Sequence, residues 1–334
     1  MTTRPAHVEA PAPSTEPPEA VAGPARGGPA GTARRGTAGT AATDPAGTTP
    51  TDPTGASVAV ASRARRAAAS LPAHVWVAGA GLAVFAVAAI APDVLAPGDP
   101  GEIDLAATLS GPSLEHWFGT DELGRDLFTR VVHGTRDSLA VGLGAAAVSI
   151  VLALVLASLT LTGRAVAAVV DRVIEILFAF PTLLLALLVV GMFGPSPTTL
   201  AIAVGIGSAP GYARMIRAQL HAAADSGYVE AATVLGHPRG RILVQHVLPN
   251  ALRPLVGVFT MSIGQSIVWA SSLAFLGLGV APPSPEWGAL LDAGRTYLTA
   301  AGWLVVIPGL VIVALSLSTT AVGAHLRDRL EGGH

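Results

Sequence analysis

The sequence predicts an all-α polytopic membrane protein with six transmembrane helices and a cytosolic two-helix loop. Only 13% of its 334 residues are charged and 51% are apolar, giving a mean hydropathy of +0.57. Soluble domains usually carry about a quarter charged residues. The missing charges are concentrated in several long stretches without Asp, Glu, Lys or Arg. Arginine is also distributed unequally between the connections of these stretches, which indicates a fixed orientation in a bilayer.

Six apolar segments follow one another along the chain. They cover about 75–91, 139–162, 176–194, 198–213, 255–280 and 304–324. A helix needs about 20 apolar residues to cross the hydrocarbon core, and five segments meet this length. The fourth is short and contains Pro210, so it spans the bilayer only if its helix continues toward Arg214 and Arg217, whose side chains can reach the headgroups.

The N-terminal residues form a separate region. Residues 1–62 contain no Leu, Ile, Phe, Tyr or Trp and are dominated by Ala, Pro, Gly and Thr. Such a composition buries too little apolar surface to offset chain entropy. The sequence therefore predicts a disordered cytosolic tail over 1–68 and a six-span membrane domain over 69–330.

The orientation prediction follows from counting arginines. With the N-terminus in the cytosol, twelve Arg flank the spans on the inside, before the four of the tail are counted, and four lie outside. The positive-inside rule then predicts that both termini are cytosolic. The outside loop is 92–137, which is acidic, and the largest cytosolic connection is 219–253.

Composition also excludes several chemistries. The chain has no Cys and no Lys, so it lacks thiolate chemistry and the Lys that a phosphate-binding P-loop requires. The net charge of −2 does not indicate a nucleic-acid partner. His237 and His246 are nine residues apart with no Asp, Glu or Cys between them, so we predict no metal site. No polar catalytic grouping falls within the spans, and we expect the chain not to be an enzyme.

The 219–253 loop has the pattern of two short helices. Asp225 or Ser226 can cap the first helix, and Gly236 can end it in the left-handed conformation. Pro238 suits the first turn of the second helix, and Pro249 is predicted to stop it. An apolar stripe on the second helix consists of Ile242, Leu243 and Val247. A short amphipathic hairpin of this kind is a plausible docking surface for a partner.

The loop resembles the EAA loop of ABC-importer permeases. The resemblance is carried by Glu230-Ala231-Ala232, then Gly236, Ile242, His246 and Leu248-Pro249-Asn250. Further matches to the dipeptide/oligopeptide/nickel permease family, in the family's order, are His116–Asp126, Gly134–Leu139, Ala179–Pro181, Pro210–Arg214, Ser272–Gly279, Pro282–Gly288 and Gly294–Leu298. Together they cover roughly 75–330 and are most similar to the second, C-type permease subunit. The connection 162–171 departs from the family in lacking Gly- and Tyr-rich character.

The resemblance implies an assembly and a role. In such importers two permease subunits form the pathway, two ATP-binding subunits hydrolyse ATP with magnesium, and an extracytoplasmic solute-binding protein delivers the solute. The chain itself would bind no cofactor. The EAA loop inserts into an ATP-binding subunit. The implied coupling residues are Tyr228, Glu230, Ala231, Ala232, Gly236, Ile242, His246, Pro249 and Asn250. The implied cargo is a di- or oligopeptide, nickel or a related small solute, moved across the cytoplasmic membrane by alternating access.

Two other features leave alternatives open. Asp171, Arg172 and Glu175 lie at the mouth of the third span, where we favour an interfacial ion pair between Arg172 and Glu175 over a functional site. The segment 281–297 carries Trp287 and is either an interfacial anchor or a contact for the solute-binding protein.

A secondary transporter driven by an ion gradient, with no ATPase partner, is the alternative function. It is disfavoured because such proteins place partnered charges near the bilayer midplane. The six predicted spans carry no charged residue apart from Glu175, which lies near one end.

Overall fold

The computed structural model of the protein describes residues 72–281 and 283–331. The predicted disordered tail, 1–68, lies outside the described residues. Every regular element in the described ranges is helical, and the one β-type contact there is an isolated bridge between Thr120 and Asp126. The predicted all-α class is therefore confirmed.

The described ranges contain eleven α-helices, besides one unlabelled four-residue helical turn. They are α1 (Ala73–Ile90), α2 (Leu127–Leu159), α3 (Arg164–Ala179), α4 (Thr182–Phe193), α5 (Pro197–Ala224), α6 (Gly227–Val234), α7 (Arg239–Ile242), α8 (Leu248–Leu252), α9 (Leu255–Leu273), α10 (Trp287–Arg295) and α11 (Trp303–Glu331). The unlabelled turn is Pro92–Leu95, a 3₁₀ turn covers Leu105–Ala107, and wider π-helical turns cover Leu243–Val247 and Ala274–Leu278.

Among the described residues, fewer than six helices are long and apolar enough to cross a membrane. Within the described ranges, four stretches are long and apolar enough: Ala73–Ile90, Leu127–Leu159, Leu255–Leu278 and Trp303–Leu330. The pair α3 and α4 makes a fifth if it is counted as one broken span. The predicted count of six is not confirmed.

The sequence predicts one continuous helix over the third apolar segment, but the structure divides this segment between two helices. The chain bends by 89° between α3 and α4. Phe180 is extended at the bend, with φ −88° and ψ 130°. The reason is Pro181, because a proline ring disfavours helical geometry in the residue before it. The fourth segment does continue past Arg214 and Arg217, as part of the 28-residue α5.

Helix α2 begins twelve residues before the apolar segment that predicted it. The Asp126 carboxylate accepts a hydrogen bond from the Thr129 main-chain N–H at 2.8 Å and caps the helix at this earlier point. The last residues of the predicted 92–137 loop, 127–137, are consequently the first turns of α2. Capping chemistry therefore sets this boundary, and hydropathy does not.

The core lies where α2 packs against α5 and α9. Val141, Ala145, Leu200 and Val204 are buried there together with Leu273. Small residues permit this close approach. A Cβ at Gly205 would lie 2.6 Å from the side chain of Val148, and one at Gly142 would overlap Ile267. Close packing through small residues is typical of helices in membranes.

One end of the bundle is closed by α10 and the segment 92–126. Trp287 is fully buried, and its indole N–H donates a hydrogen bond to the Val131 carbonyl at 2.9 Å. Phe85 contacts the indole edge-on. The buried Trp287 ring packs α10 against α2 and is not itself exposed as an anchor or a contact. Whether the rest of the segment 281–297 is an interfacial anchor or a contact for the solute-binding protein stays a prediction.

Candidate functional site

Helix α6 begins at the position that the sequence indicated but with a different hydrogen bond. Ser226 is the N-cap residue, and its carbonyl accepts from the N–H groups of Val229 and Glu230. Its hydroxyl donates to the Ala223 carbonyl at 2.6 Å and makes no side-chain cap. The Ser226 side chain therefore fixes the turn between α5 and α6. Glu230 stands in the first turn of α6, where a carboxylate is favoured by the helix dipole.

The end of α6 is a left-handed glycine turn. Gly236 has φ 78°. Its N–H donates to the Thr233 carbonyl at 3.0 Å, and the His237 N–H donates to the Ala232 carbonyl at 3.2 Å. These two bonds are the pattern of a Schellman motif, which glycine permits because it has no Cβ. The predicted left-handed conformation of Gly236 is confirmed.

One face of α6 is attached to the membrane domain. Ala232 is 5% exposed and belongs to a buried cluster with Leu220, Ile242 and Leu255, against which Val229 packs. The small side chain of Ala232 lets α6 lie close to α7 and to the π-helical turn over Leu243–Val247. The helix is therefore fixed to the bundle by its inner face.

The other face of α6 is uncovered. Val234 is 82% exposed and Leu235 75% exposed, beside an exposed Glu230. A shallow groove of about 500 Å³ runs along this face and is lined by Gly227, Glu230, Ala231, Val234 and Leu235. Burying a side chain such as valine or leucine stabilises a contact by about 1.5–3 kcal/mol. Val234 and Leu235 belong, with Ala231 and Ala232, to the small-residue face that the sequence indicates for this helix, and the structure buries only Ala232 of the four.

The second helix of the loop does not stop at Pro249, contrary to the prediction. It runs as α7, a π-helical turn over Leu243–Val247, and α8, which contains Pro249. A proline within an α-helix clashes with the carbonyl four residues earlier and leaves it without a donor. The wider π turn directly before α8 accommodates this defect, so the chain stays helical through Pro249.

The apolar stripe of the second helix faces the protein itself. Ile242 is 7% exposed and Val247 3% exposed, and both belong to the buried cluster that holds Ala232. Leu243 packs against the same cluster. Ile242 and Val247 therefore attach the loop to the bundle.

The two loop histidines lie side by side. The rings of His237 and His246 are nearly parallel, with their centroids 6.2 Å apart, and the Asn250 amide donates to the His246 carbonyl at 2.9 Å. No group of three His, Cys, Asp or Glu able to hold a metal occurs in the described ranges. Pro249 and Asn250 are exposed at the end of the loop nearest α9.

Two ion pairs involve α3. Arg172 Nη1 lies 3.2 Å from Glu175 Oε2, with both side chains largely exposed, which is the pairing favoured from the sequence. Asp171 instead pairs with Arg217 of α5, and both of these side chains are about one-third exposed. Of the three residues considered together, only Asp171 connects different helices.

A polar network that the sequence did not reveal lies at the α10 end. Asp121 accepts hydrogen bonds from Arg125 Nε at 2.7 Å and from Arg130, and all three side chains are at least 92% buried. Nearby, Glu286 is 2% exposed and receives hydrogen bonds from the Ser138 hydroxyl and the Ala289 N–H. Burial raises the pKa of the Glu286 carboxyl above its ordinary value. The buried ion pairs of Asp121 and the hydrogen bonds of Glu286 hold together the segments that close this end of the helix bundle.

Known proteins share both the sequence and the fold. A family described as "Binding-protein-dependent transport system inner membrane component" matches residues 149–332. An amino acid ABC transporter of known crystal structure superposes with a TM-score of 0.50 at 18% identity, covering 60% of this chain and 94% of that one. At that identity the structural likeness supports the fold alone.

Curated relatives are similar over most of their length. The dipeptide transport system permease protein DppC of Alkalihalophilus pseudofirmus is 37% identical, covering 74% of this chain and 82% of that protein. The glutathione transport system permease protein GsiD of Pectobacterium atrosepticum is 39% identical, covering 77% and 87%. The probable D,D-dipeptide transport system permease protein DdpC of Escherichia coli is 38% identical, covering 71% and 80%. These matches favour an ABC permease over the secondary transporter considered as the alternative. With a family match over more than half of its length, this chain belongs to the inner membrane components of binding-protein-dependent transport systems, the permease subunits of ABC importers.

Proposed function

We propose that this chain is the C-type permease subunit of an importer of di- or oligopeptides, and that the outward face of α6 is its contact with an ATP-binding subunit. The observation that carries this proposal is the uncovered face formed by Glu230, Val234 and Leu235 on a helix whose opposite face is buried. A short α-helix held on one side and uncovered on the other is suited to insertion into a cleft.

The chemistry of that face fits a protein partner. Apolar Val234 and Leu235 supply area that a partner would remove from water, and half-exposed Tyr228 is of a type common at interface hot spots. Glu230 can accept a paired hydrogen bond from an arginine of the partner. Ala231 adds no bulk in the groove, so a partner can approach the main chain. Gly236 fixes the end of this face by its left-handed turn.

Force applied to α6 would reach the spans through its buried face. Ala232 lies in the cluster that also contains Ala213 and Ile216 of α5 and Leu255 of α9. Interiors are close-packed, so a displacement of α6 moves its neighbours instead of being absorbed. Closure of the ATP-binding subunits would thereby alter the packing of α5 and α9, which is how the loop couples ATP hydrolysis to alternating access.

The remaining partners follow from the family. The complete importer would contain a second permease subunit, two ATP-binding subunits that bind ATP and magnesium, and an extracytoplasmic solute-binding protein, all associated with the lipid bilayer. The arginine distribution supports cytosolic termini and a cytosolic 219–253 loop. Hydrolysis would be performed by the ATP-binding subunits, because this chain has no Lys for a P-loop. Its own contribution is the pathway.

Peptides are the cargo that the relatives favour. The proteins compared above are named for dipeptide, D,D-dipeptide and glutathione transport, and glutathione is itself a tripeptide. We therefore place di- and oligopeptides ahead of nickel as the transported solute.

The test is a charge reversal on the outward face. Glu230→Arg in the assembled importer, reconstituted in vesicles, is expected to abolish dipeptide uptake and to weaken co-purification of the ATP-binding subunits. The matched control is Glu175→Arg, the same substitution at an exposed carboxylate on α3 outside the groove. Uptake and co-purification by Glu230→Arg equal to those of the control would contradict the proposal.

A further inference from the structure

Main-chain hydrogen bonding is interrupted at two neighbouring points, one between α3 and α4 and one at Pro210 within α5. The 89° break between α3 and α4 falls at Phe180 and Pro181, and no side chain caps the first turn of α4. Helix ends leave main-chain N–H and carbonyl groups without intrahelical partners. In α5, Pro210 has no N–H to offer the Ile206 carbonyl. The Thr182 hydroxyl donates to the Gly207 carbonyl at 3.3 Å, which places the two interruptions side by side.

A cavity lies at this point. Its volume is about 480 Å³, within the range of small-molecule sites, and it is open on one side. Uncharged polar side chains from three helices reach it, namely Thr182, Ser208, Tyr212 and Gln265, together with the aromatic rings of Phe180 and Trp269. Ser208 Oγ has no hydrogen-bond partner among the described residues. No Asp, Glu, Arg or His lines the cavity.

Interrupted backbone inside apolar segments has few stable environments. It is tolerated at membrane depth only where it is buried in protein or lines a water-filled cavity, since lipid cannot satisfy free N–H and carbonyl groups. Here both interruptions border the same cavity, so water or a polar solute can satisfy them. Gln265 and Tyr212, whose hydroxyl is also hydrogen-bonded to Ser262, add donors and acceptors to the same cavity.

We propose that this cavity is the subunit's share of the solute-binding site and that it accepts the amide groups and side chain of a small peptide. This inference rests on the proposed function and specifies its chemistry. Amide groups match the hydrogen-bonding capacity of Gln265, Ser208 and Tyr212, while Phe180 and Trp269 provide apolar area for a peptide side chain. A nickel ion would need imidazole, thiolate or carboxylate ligands, and none of these lines the cavity.

Gly211 offers a direct test, because it lines the cavity and an added Cβ would have no atom within 4 Å. Gly211→Leu therefore adds bulk at the cavity wall, and its Cβ displaces no neighbour. The matched control is Gly79→Leu in α1, where a Cβ also meets nothing within 4 Å and which does not line this cavity. In reconstituted importer, Gly211→Leu is expected to lower uptake of a labelled dipeptide by at least about tenfold, the discrimination usual for extra methylene groups in a pocket. Gly79→Leu should match wild type.

A second variant examines the chemistry of the site. Gln265→Leu removes an amide while keeping the volume similar, so it should lower uptake of diglycine about tenfold more than uptake of dileucine, because diglycine depends more on polar contacts. An unchanged ratio of the two uptake rates would contradict a role for Gln265 in recognition.

The outcomes separate this inference from the proposed function. Equal dipeptide uptake by Gly211→Leu and Gly79→Leu would overturn the cavity assignment while the importer still transports peptide. Loss of the second permease from purified Gly211→Leu importer would show that the cavity is filled by that subunit and would overturn it as well. Nickel uptake that Gly211→Leu abolishes would refute the ligand class. A wild-type importer that takes up no peptide would instead contradict the proposed function itself.

Discussion

The hydroxyl of Ser138 donates a hydrogen bond to the Glu286 carboxylate at 3.3 Å, linking residues that lie 148 positions apart in the chain. The same hydroxyl oxygen accepts a hydrogen bond from the main-chain N–H of Trp287 at 2.9 Å. The second carboxylate oxygen of Glu286 caps α10 by accepting from the Ala289 N–H at 2.9 Å. One buried carboxyl therefore attaches the start of α10 to the middle of α2.

Protonation of Glu286 should govern the pH dependence of this attachment. Burial raises its pKa, so the folded protein binds the proton more tightly than the unfolded chain does. The contribution of this group to the free energy of unfolding is then fully present below the unfolded pKa and is lost as pH rises through the folded one. Glu286→Gln, which is neutral at every pH, should flatten the fall of the thermal midpoint as pH rises above the ordinary range of a glutamate carboxyl.

Glu286→Gln keeps a side chain that can still accept hydrogen bonds, whereas Glu286→Ala does not. Glu286→Ala removes the cap and leaves Ser138 and the Ala289 N–H without their acceptor, so we expect a loss of about 1–3 kcal/mol in the free energy of unfolding. The midpoints would be measured on purified importer in detergent over the pH series. If Glu286→Gln keeps the wild-type slope, another group causes the pH dependence.

We predict that the left-handed turn at the end of α6 requires glycine at position 236. Gly236 adopts φ 78°, and an added Cβ would meet no atom within 4 Å, so any effect of Gly236→Ala comes from the backbone alone. A side chain in the left-handed region costs about 1 kcal/mol, which corresponds to about fivefold faster hydrogen exchange at the His237 amide.

Gly240 provides the opposite case in the same loop. It lies inside α7 and also has open space around a Cβ, but it is not left-handed. Gly240→Ala should slow local exchange, because alanine favours the helix by about 1 kcal/mol. Similar exchange changes in both variants would show that the turn at Gly236 is not the cause. Gly236→Leu should additionally stop transport while the spans still insert.

The buried charge cluster should be sensitive to loss of its carboxylate. Asp121 pairs with Arg125 and Arg130, and its side chain is 6% exposed. Asp121→Asn keeps the shape but leaves two buried guanidinium groups without their shared counter-charge, which typically costs about 3–5 kcal/mol. We expect the thermal midpoint to fall steeply, or the protein not to assemble.

Glu122→Gln is the control for that prediction. Glu122 pairs with Arg125 at 3.0 Å, but its side chain is 25% exposed and water can compensate its loss. Its midpoint should stay near that of wild type. Equal midpoints for Asp121→Asn and Glu122→Gln would mean that the cluster contributes little.

Local chemistry explains what the sequence could predict. Apolar runs indicated α1, α9 and α11 because a bilayer imposes their length and composition. The left-handed turn at Gly236 was predictable because it depends on one residue and its immediate neighbours. The structural features that the sequence does not predict depend on residues that are distant in the chain. Burial of Trp287 requires the Val131 carbonyl of α2, 156 positions away, and no local pattern contains that information.

The two missed backbone features have a common cause. Proline forbids a regular helix but does not determine which alternative replaces it. At Pro181 the chain bends by 89°, whereas before Pro249 it widens into a π turn and continues. Tertiary packing decides between these outcomes. Val247 is held in the buried cluster around Ala232, which keeps that segment helical through Pro249.

The two ion pairs of α3 should differ in their coupling energies. Arg172 and Glu175 are 75% and 59% exposed and lie on one helix, so a double-mutant cycle should give a coupling within about 0.5 kcal/mol. Asp171 and Arg217 are 35% and 33% exposed and join α3 to α5. Their coupling should be larger, near the upper end of about 1 kcal/mol for surface pairs, because partial burial reduces screening.

The comparison uses Asp171→Asn with Arg217→Gln and, as the matched set, Glu175→Gln with Arg172→Gln, each singly and together. Thermal midpoints would be measured in purified importer at low and high salt. The Asp171–Arg217 coupling should persist at the higher salt concentration, whereas the Arg172–Glu175 coupling should vanish, since exposed pairs are the more strongly screened. Equal coupling energies at both salt concentrations would mean that the contact between α3 and α5 does not depend on this ion pair. The helices would then be held together by the apolar packing of Val170 and Ile174 against Ala213 and Leu220 alone.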